Sequence, residues 1–205
     1  MPKFPEPPDL HALAPEWTVL PAGHELWRIY PRGGRYLTRW DTFRAYGPTD
    51  ARFDHHLQPP RVQARRILYG ATSIVVSLAE IFQHRRHINA SFGEPWLVGF
   101  ALAAPLRLIV LTGTWPTRAG ASMAISSGPR PRARRWSQVI YQTYPDAQGL
   151  HYASSMYQNT PCVALYERAE AALPDRPFFH RALADPLLLP ALADAAEELG
   201  YTFNA

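Results

Sequence analysis

Short apolar runs separated by turn residues are the feature that most limits how this chain can fold. The runs Leu97–Leu102 and Leu106–Thr112 are typical of buried strands, whereas Ile74–His84 has the spacing of an amphipathic helix. Strands and helices are mixed without a regular βα alternation, which favours an α+β fold over a doubly wound sheet. The longest apolar candidate, Pro95–Leu111, contains Pro105 and Arg107 and falls short of the roughly 20 residues that cross a bilayer. At 205 residues the chain has room for one domain, or one domain with a small appendage.

Other local patterns predict the remaining elements. Strands are predicted at 24–30, 67–69, 149–154 and 162–166, and helices at 134–144, 178–183 and 188–199. Gly200 is predicted to end the last of these helices, and Gly33–Gly34 to form a turn. Long loops are predicted at 47–66 and 113–131, and loops of this length inside a compact domain often carry function. Six prolines within residues 1–22 predict an extended arm that lies on the surface or reaches a partner.

The predicted helix 74–84 carries a carboxylate beside its apolar stripe. Ser73 can cap this helix, and apolar residues at i, i+3, i+4 and i+7 from Val75 form the stripe. Glu80 lies about 100° around the helix from Ala79, at the edge of the buried face. A carboxylate at such an edge can face a cleft.

Charge and composition narrow the classes of partner. The net charge is +4, and every basic residue except Lys3 is arginine, whose planar fork suits phosphate or carboxylate, although GC-rich coding produces the same bias. A charge of this size does not by itself indicate nucleic acid.

The single cysteine, Cys162, excludes a disulfide framework and a Cys-based zinc site. The pairs His55/His56 and His84/His87 have no evident further ligands, so no metal is expected. The N-terminus lacks an apolar signal-peptide core, and we expect a cytoplasmic protein without membrane contact.

Six segments resemble one known family when they are taken in order. These segments are LWRIY, ARFDHH, ILYGATSIVVSLAEIF, LRLIVLT, WSQVIYQTY leading into GLHYASS, and CVALYE. Their order and spacing resemble the RES domain family, which is named for its Arg, Glu and Ser, over roughly residues 24–167. Members often have a basic residue after the serine, where this chain has Ser155. Ser154 keeps the Y-x-S spacing from Tyr152, and the choice between Ser154 and Ser155 stays open.

The resemblance implies a fold similar to ADP-ribosyltransferase toxins, with a mixed or antiparallel sheet and flanking helices. It implies a catalytic domain at 23–170, with the arm at 1–22 before it and a C-terminal helical extension at 171–205 packed on the same domain. Family members consume NAD and act as toxins of bacterial toxin–antitoxin pairs. The expected partners are therefore NAD, as substrate, and an antitoxin of the helix-turn-helix class, with a homo-oligomer as a further expectation.

The resemblance also implies roles for five residues. Cleaving the nicotinamide–ribose bond develops positive charge on the ribose, which Glu80 would stabilise as the main catalytic group. Arg28 would anchor the diphosphate with Arg52, since guanidinium forks match phosphate oxygens. Tyr69 would engage nicotinamide, and Ser154 would bind the ribose or hold Glu80 in position. One of His55 and His56, in the loop after Arg52, could also contact the substrate.

Several alternatives remain open from the sequence. The acceptor could be water, phosphate or a protein side chain, which correspond to hydrolysis, phosphorolysis and ADP-ribosyl transfer. A second hypothesis is a non-catalytic module of the same fold that binds a nucleotide or a partner, because Ser155 replaces a basic residue. A third, nucleic-acid binding, depends only on the basic segment 130–135, and direct nucleic-acid binding is not expected.

Overall fold

The computed structural model describes residues 3–33 and 38–204. Within these residues, nine strands form one sheet in the order β1-β7-β8-β9-β4-β2-β6-β10, with β3 paired to β4, and two strands form a small second sheet. The strands of the large sheet are β1 Trp17–Leu20, β2 Glu25–Pro31, β3 Arg44–Gly47, β4 Arg61–Ala71, β6 Pro95–Ala101, β7 Leu106–Val110, β8 Gly149–Ala153, β9 Pro161–Tyr166 and β10 Phe179–Ala182. The second sheet pairs β5 His87–Asn89 with β11 Thr202–Asn204 in parallel. The predicted α+β class is confirmed, because the large sheet is mixed: β7 and β8 run parallel and its other pairs antiparallel.

Helices cover this sheet. They are α1 Ile74–Phe82, α2 Trp115–Arg118, α3 Ala124–Ser127, α4 Arg130–Thr143, α5 Leu189–Leu199 and a 3-10 helix at Glu167–Ala172. Ser73 caps α1 as predicted, since its side chain accepts a hydrogen bond from the backbone N–H of Val76 at 3.3 Å. Helix α5 ends at Gly200, which adopts a left-handed conformation with φ of 64°. No helix among the described residues combines the length and apolarity needed to cross a membrane.

The core lies on both faces of the sheet. Neighbouring residues of β4 separate to opposite sides, with Ile67 in the cluster that contains Trp136 of α4 and Leu68 in the cluster that contains Val98. A third cluster joins α1, α5 and β6, and it fixes the position of α1 on the sheet. Because α1 is packed in this way, Glu80 at its edge is held beside the sheet.

The segment at 178–183, predicted as a helix, is a strand. Residues Phe179–Ala182 form β10, which pairs antiparallel with β6 in the register Phe179↔Gly99. The backbone N–H of Phe178 also donates to the carbonyl of Gly99 at 3.0 Å. Short apolar segments suit either structure, and the free edge of β6 decided the outcome here.

The N-terminal segment packs against the body of the molecule, contrary to the predicted surface arm. Residues Trp17–Leu20 form β1 along β7, and Phe4 and Leu10 are buried. The hydroxyl of Tyr144, directly after α4, donates to the carbonyl of Leu13 at 2.8 Å. Anchoring residues of this kind are spaced too irregularly to show periodicity. The division of the chain into 1–22, 23–170 and 171–205 stays a prediction.

Element boundaries differ from the prediction at the two long loops. Strand β4 begins at Arg61, so the first loop is shorter than 47–66, and α4 begins at Arg130 rather than at Arg134. Two short helices, α2 and α3, lie within the predicted loop 113–131. The predicted turn at Gly33–Gly34 extends outside the described residues.

Candidate active site

Two neighbouring cavities meet beside α1. They have volumes of about 350 and 320 Å³, and four residues line both of them: Tyr69, Glu80, Ile81 and Tyr152. The first, which we call the polar cavity, is also lined by Asp50, Arg52, Gln83, His84, Ser126, Arg130 and Ser155. The second, the apolar cavity, is lined by Arg28 together with Trp27, Ile29, Ile67, Ala71 and Cys162. Glu80 is therefore accessible from two sides.

A hydrogen bond joins Glu80 to Ser154, which lies directly after β8. The hydroxyl of Ser154 donates to Oε1 of Glu80 at 2.5 Å. The same hydroxyl oxygen accepts the backbone N–H groups of Met156 and Tyr157, each at 3.1 Å. Because those two bonds use its lone pairs, the hydroxyl hydrogen is directed at the carboxylate. Ser155 lines the polar cavity instead, so the structure brings Ser154 rather than Ser155 to Glu80.

Gln83 holds the other side of the same carboxylate. Its Nε2 donates to the backbone carbonyl of Glu80 at 2.6 Å and lies 3.4 Å from Oε2. Both carboxylate oxygens of Glu80 thus have a neutral donor, and charge-assisted hydrogen bonds of this kind orient a carboxylate strongly.

Arg28 extends from β2 into the wall of the apolar cavity. Its Nη1 donates to the carbonyl of Trp40 at 2.8 Å, and its guanidinium lies 5.7 Å from the ring centre of Tyr30. Burial lowers the pKa of Arg28 to about 10, so the side chain stays charged at neutral pH. Its Nε is buried without a hydrogen-bond partner among residues 3–33 and 38–204. A half-buried cation with a buried, unused donor suits an anionic or strongly polar ligand.

Two tyrosines stand between the cavities. The hydroxyl of Tyr69, on β4, is buried and has no hydrogen-bond partner within the described part of the chain. Burial raises the pKa of Tyr69 and that of Tyr152 above the ordinary tyrosine value, so both are neutral. Tyr152 packs against the buried Phe53 at 4.7 Å between ring centres. Sequence reasoning used Tyr152 only as a spacing marker for Ser154 and missed it as a lining residue.

Arg52 lies in the polar cavity, in the loop between β3 and β4. Its Nη1 donates to the carbonyl of Gly128 at 2.5 Å. Burial first, and the positive charge of Arg130 second, lower the pKa of Arg52. The structure thus distributes the predicted residues, with Arg28 in one cavity, Arg52 in the other, and Tyr69 and Glu80 in both.

His55 and His56 line neither cavity, although one of them was expected to contact the substrate. Both are fully buried, and Nδ1 of His56 lies 2.5 Å from Oδ1 of Asp54. Asp54 also accepts the backbone N–H of Thr49 at 2.6 Å and lies 2.9 Å from Nη2 of Arg44. This buried network holds the loop that carries Arg52.

Arg130 lines the polar cavity, although the sequence placed it only in the predicted loop 113–131 and the basic segment 130–135. Its Nη1 donates to Oδ2 of Asp50 at 2.8 Å and to Nε2 of His84 at 3.0 Å, and its Nη2 donates to Oε1 of Gln83 at 2.7 Å. The sequence could have indicated only the partners of Arg130, because Gln83 and His84 lie one turn after Glu80 on the same face. In the described part of the chain, no three His, Cys, Asp or Glu side chains are grouped so that they could hold a metal ion.

The mixed sheet with its flanking helices has a counterpart among solved structures. The structure matches a chain from the crystal structure of the M. tuberculosis MbcT–MbcA toxin–antitoxin complex with a TM-score of 0.55 and 14% identity, over 88% of this chain and 91% of that chain. At this identity the likeness concerns the fold. The family model for the RES domain matches residues 25–184, and the chain belongs to this family. No curated protein sequence matches the chain significantly.

Proposed function

We propose that this protein cleaves the nicotinamide–ribose bond of NAD. The observation that carries the proposal is the Ser154–Glu80 hydrogen bond at the wall shared by the two cavities. A carboxylate fixed on both oxygens, and reachable from two sides, suits a reaction in which positive charge develops on a ribose between a base and a diphosphate. Membership of the RES domain family supports the same conclusion.

Glu80 and Ser154 carry the chemical step. Nicotinamide leaves as a neutral base, so the reaction needs no strong general acid. Glu80 stabilises the developing positive charge on the ribose, as carboxylates do in glycoside cleavage. Ser154 keeps the carboxylate in place by donating its hydroxyl hydrogen. Since this hydroxyl is already committed to Glu80, the positioning role is favoured over direct binding of the ribose.

Two arginines and two tyrosines bind the NAD substrate. Arg28 and Arg52 supply donors for the diphosphate, in keeping with guanidinium geometry. Tyr69 and Tyr152 stay neutral because of burial, and they offer aromatic surface to the nicotinamide and the ribose. The acceptor of the ADP-ribosyl group is water, phosphate or a protein side chain.

The reaction can be identified by following NAD with purified protein by NMR, with and without phosphate. We expect nicotinamide to be released, and the ribose-side product identifies the acceptor. Intact NAD under both conditions, and also with added cell lysate as a source of protein acceptors, would contradict the proposal and leave a non-catalytic module of the same fold.

We further propose that the protein is the toxin of a toxin–antitoxin pair, held inactive in the cytoplasm by a helix-turn-helix antitoxin, with self-association as an additional expectation. The likeness to a chain from a toxin–antitoxin complex supports an antitoxin partner, and the helix-turn-helix class is part of the proposal. Expression alone should slow growth and lower cellular NAD, and co-expression of the antitoxin should reverse both effects. Normal growth and NAD at high expression would contradict a toxin role.

A further inference from the structure

An unused hydroxyl lies in the polar cavity. Ser126, in α3, is 4% exposed and lines this cavity, and its Oγ has no hydrogen-bond partner among the residues that the structure describes. A buried hydroxyl without a hydrogen-bond partner destabilises the folded state, so such groups are rare in proteins. The group points to a polar ligand that completes its hydrogen bonding.

Two arginines line the same cavity. Arg52 comes from the loop before β4, and Arg130 is the first residue of α4, at the positive end of that helix. Within the described residues, Arg52 has no salt bridge to a carboxylate, and its hydrogen bond goes to the carbonyl of Gly128. The charge of Arg130 lowers the pKa of Arg52, which indicates that the two cations repel each other. An anion between them would relieve this repulsion.

The acidic groups of the cavity offset this repulsion only in part, since the pKa of Arg52 stays lowered although Glu80 and Asp50 act to raise it. Asp50 bonds to Arg130 at 2.8 Å and to Arg134 at 3.2 Å, so one carboxylate is shared by two cations. Glu80 is engaged by Ser154 and Gln83. His84 contributes no negative charge, and its Nε2 accepts a hydrogen bond from Arg130 at 3.0 Å.

We propose that Ser126, Arg52 and Arg130 form a phosphate-binding subsite in the polar cavity. These three residues come from separate elements and line one cavity, and donors from several elements suit the divergent oxygens of a phosphate group better than the two coplanar oxygens of a carboxylate. The assignment deepens the proposed function and rests on it for the source of the phosphate. Two sources share this chemistry: the diphosphate of NAD, and inorganic phosphate acting as the acceptor.

Equilibrium titration calorimetry with two non-reacting ligands, ADP-ribose and inorganic phosphate, tests the subsite. Ser126→Ala and Arg130→Gln should each weaken binding about tenfold or more, the usual loss for a hydrogen bond to a charged group. Arg134→Gln is the matched control, because Arg134 shares Asp50 with Arg130 but does not line the cavity. It should leave both affinities within about twofold, since an exposed ion pair contributes little.

The pattern of losses identifies the source of the phosphate. Weakening confined to ADP-ribose assigns the subsite to the diphosphate of NAD, and weakening confined to inorganic phosphate assigns it to the acceptor. Weakening of both, with phosphate competing against ADP-ribose, also supports a phosphate subsite. Unchanged affinities in Ser126→Ala and Arg130→Gln would overturn the proposal, and so would a wild-type protein that binds neither ligand.

Ser126→Ala also separates binding from folding. Because the Ser126 hydroxyl has no partner in the described structure, its removal should leave the melting temperature unchanged or slightly raised. A lowered melting temperature would show that the hydroxyl is structural and would count against the subsite. The titrations do not depend on turnover, so binding without nicotinamide release would remove the proposed function while the subsite stands.

Discussion

The hydroxyl of Ser154 donates to the carboxylate of Glu80 at 2.5 Å, although 74 residues separate the two in sequence. One residue lies on α1 and the other directly after β8, and both positions are set by packing against the same sheet. The pair is the part of the site on which the proposed chemistry depends.

Replacing Ser154 by Ala should lower NAD turnover about 10- to 100-fold, because Glu80 loses a charge-assisted hydrogen bond. The backbone N–H groups of Met156 and Tyr157 also lose their acceptor, so a modest fall in melting temperature is expected. Ser155→Ala is the control, since Ser155 lines the polar cavity without a bond to Glu80. Steady-state kinetics on both variants decide between the two serines, and a larger loss in Ser155→Ala would reverse the assignment.

Arg28→Lys should raise the KM for NAD about tenfold or more. The ammonium keeps the charge but loses the planar fork and the bond from Nη1 to the carbonyl of Trp40. Arg32→Lys serves as the control, because Arg32 packs over the ring of Trp96 at 4.5 Å and lines neither cavity. Equal KM values in the two variants would contradict a substrate-binding role for Arg28.

Acid should destabilise the fold between about pH 5 and pH 2. Burial alone would raise the pKa of Glu167, but the nearby His55 ring and hydrogen bonds from Tyr141 and the Arg66 backbone outweigh it and lower the pKa to about 2. Because this pKa is below that of the unfolded chain, the stabilisation is present above about pH 4.5 and is lost as the pH falls. Urea unfolding at pH 6 and pH 3 should show a loss of about 2 kcal/mol from this group.

Glu167→Gln should reduce the dependence of unfolding free energy on pH in that range. The exposed Glu197, on α5, supplies the control, and Glu197→Gln should keep the wild-type slope. An unchanged slope in Glu167→Gln would show that Glu167 titrates normally in the folded protein.

Gly200→Ala should destabilise the protein by about 1 kcal/mol. Gly200 ends α5 with φ of 64°, a region where a Cβ is unfavourable. Gly200→Asn should lose less, since Asn tolerates this conformation better. Thermal unfolding compares the two, and equal stability in wild type and Gly200→Ala would contradict the conformation of the residue.

Local patterns were sufficient for the elements whose residues interact with near neighbours. The Ser73 cap and the apolar stripe predicted α1, and Gly200 predicted the end of α5. The mixture of strands and helices without βα alternation predicted the fold class, and the order of short motifs predicted the family. Glu80 and Ser154 were both named from the sequence, and the structure places them in contact.

Local sequence patterns did not predict the elements that form through contacts with residues distant in the chain. Strand β10 forms because the edge of β6 is free to pair, and β1 forms along β7, so neither is visible in its own short segment. Arg130 enters the site because the start of α4 lies near the end of α1, where Arg130 bonds to Gln83 across 47 residues of sequence. Such placement follows from tertiary packing and not from spacing along the chain.

The central claim is that Glu80 takes part in cleaving the nicotinamide–ribose bond, and the most direct measurement is the initial rate of nicotinamide release by Glu80→Gln beside wild type and Glu197→Gln. We predict that Glu80→Gln keeps the wild-type melting temperature and loses at least 100-fold in rate, whereas Glu197→Gln releases nicotinamide at the wild-type rate. A folded Glu80→Gln protein that releases nicotinamide as fast as wild type would contradict the account.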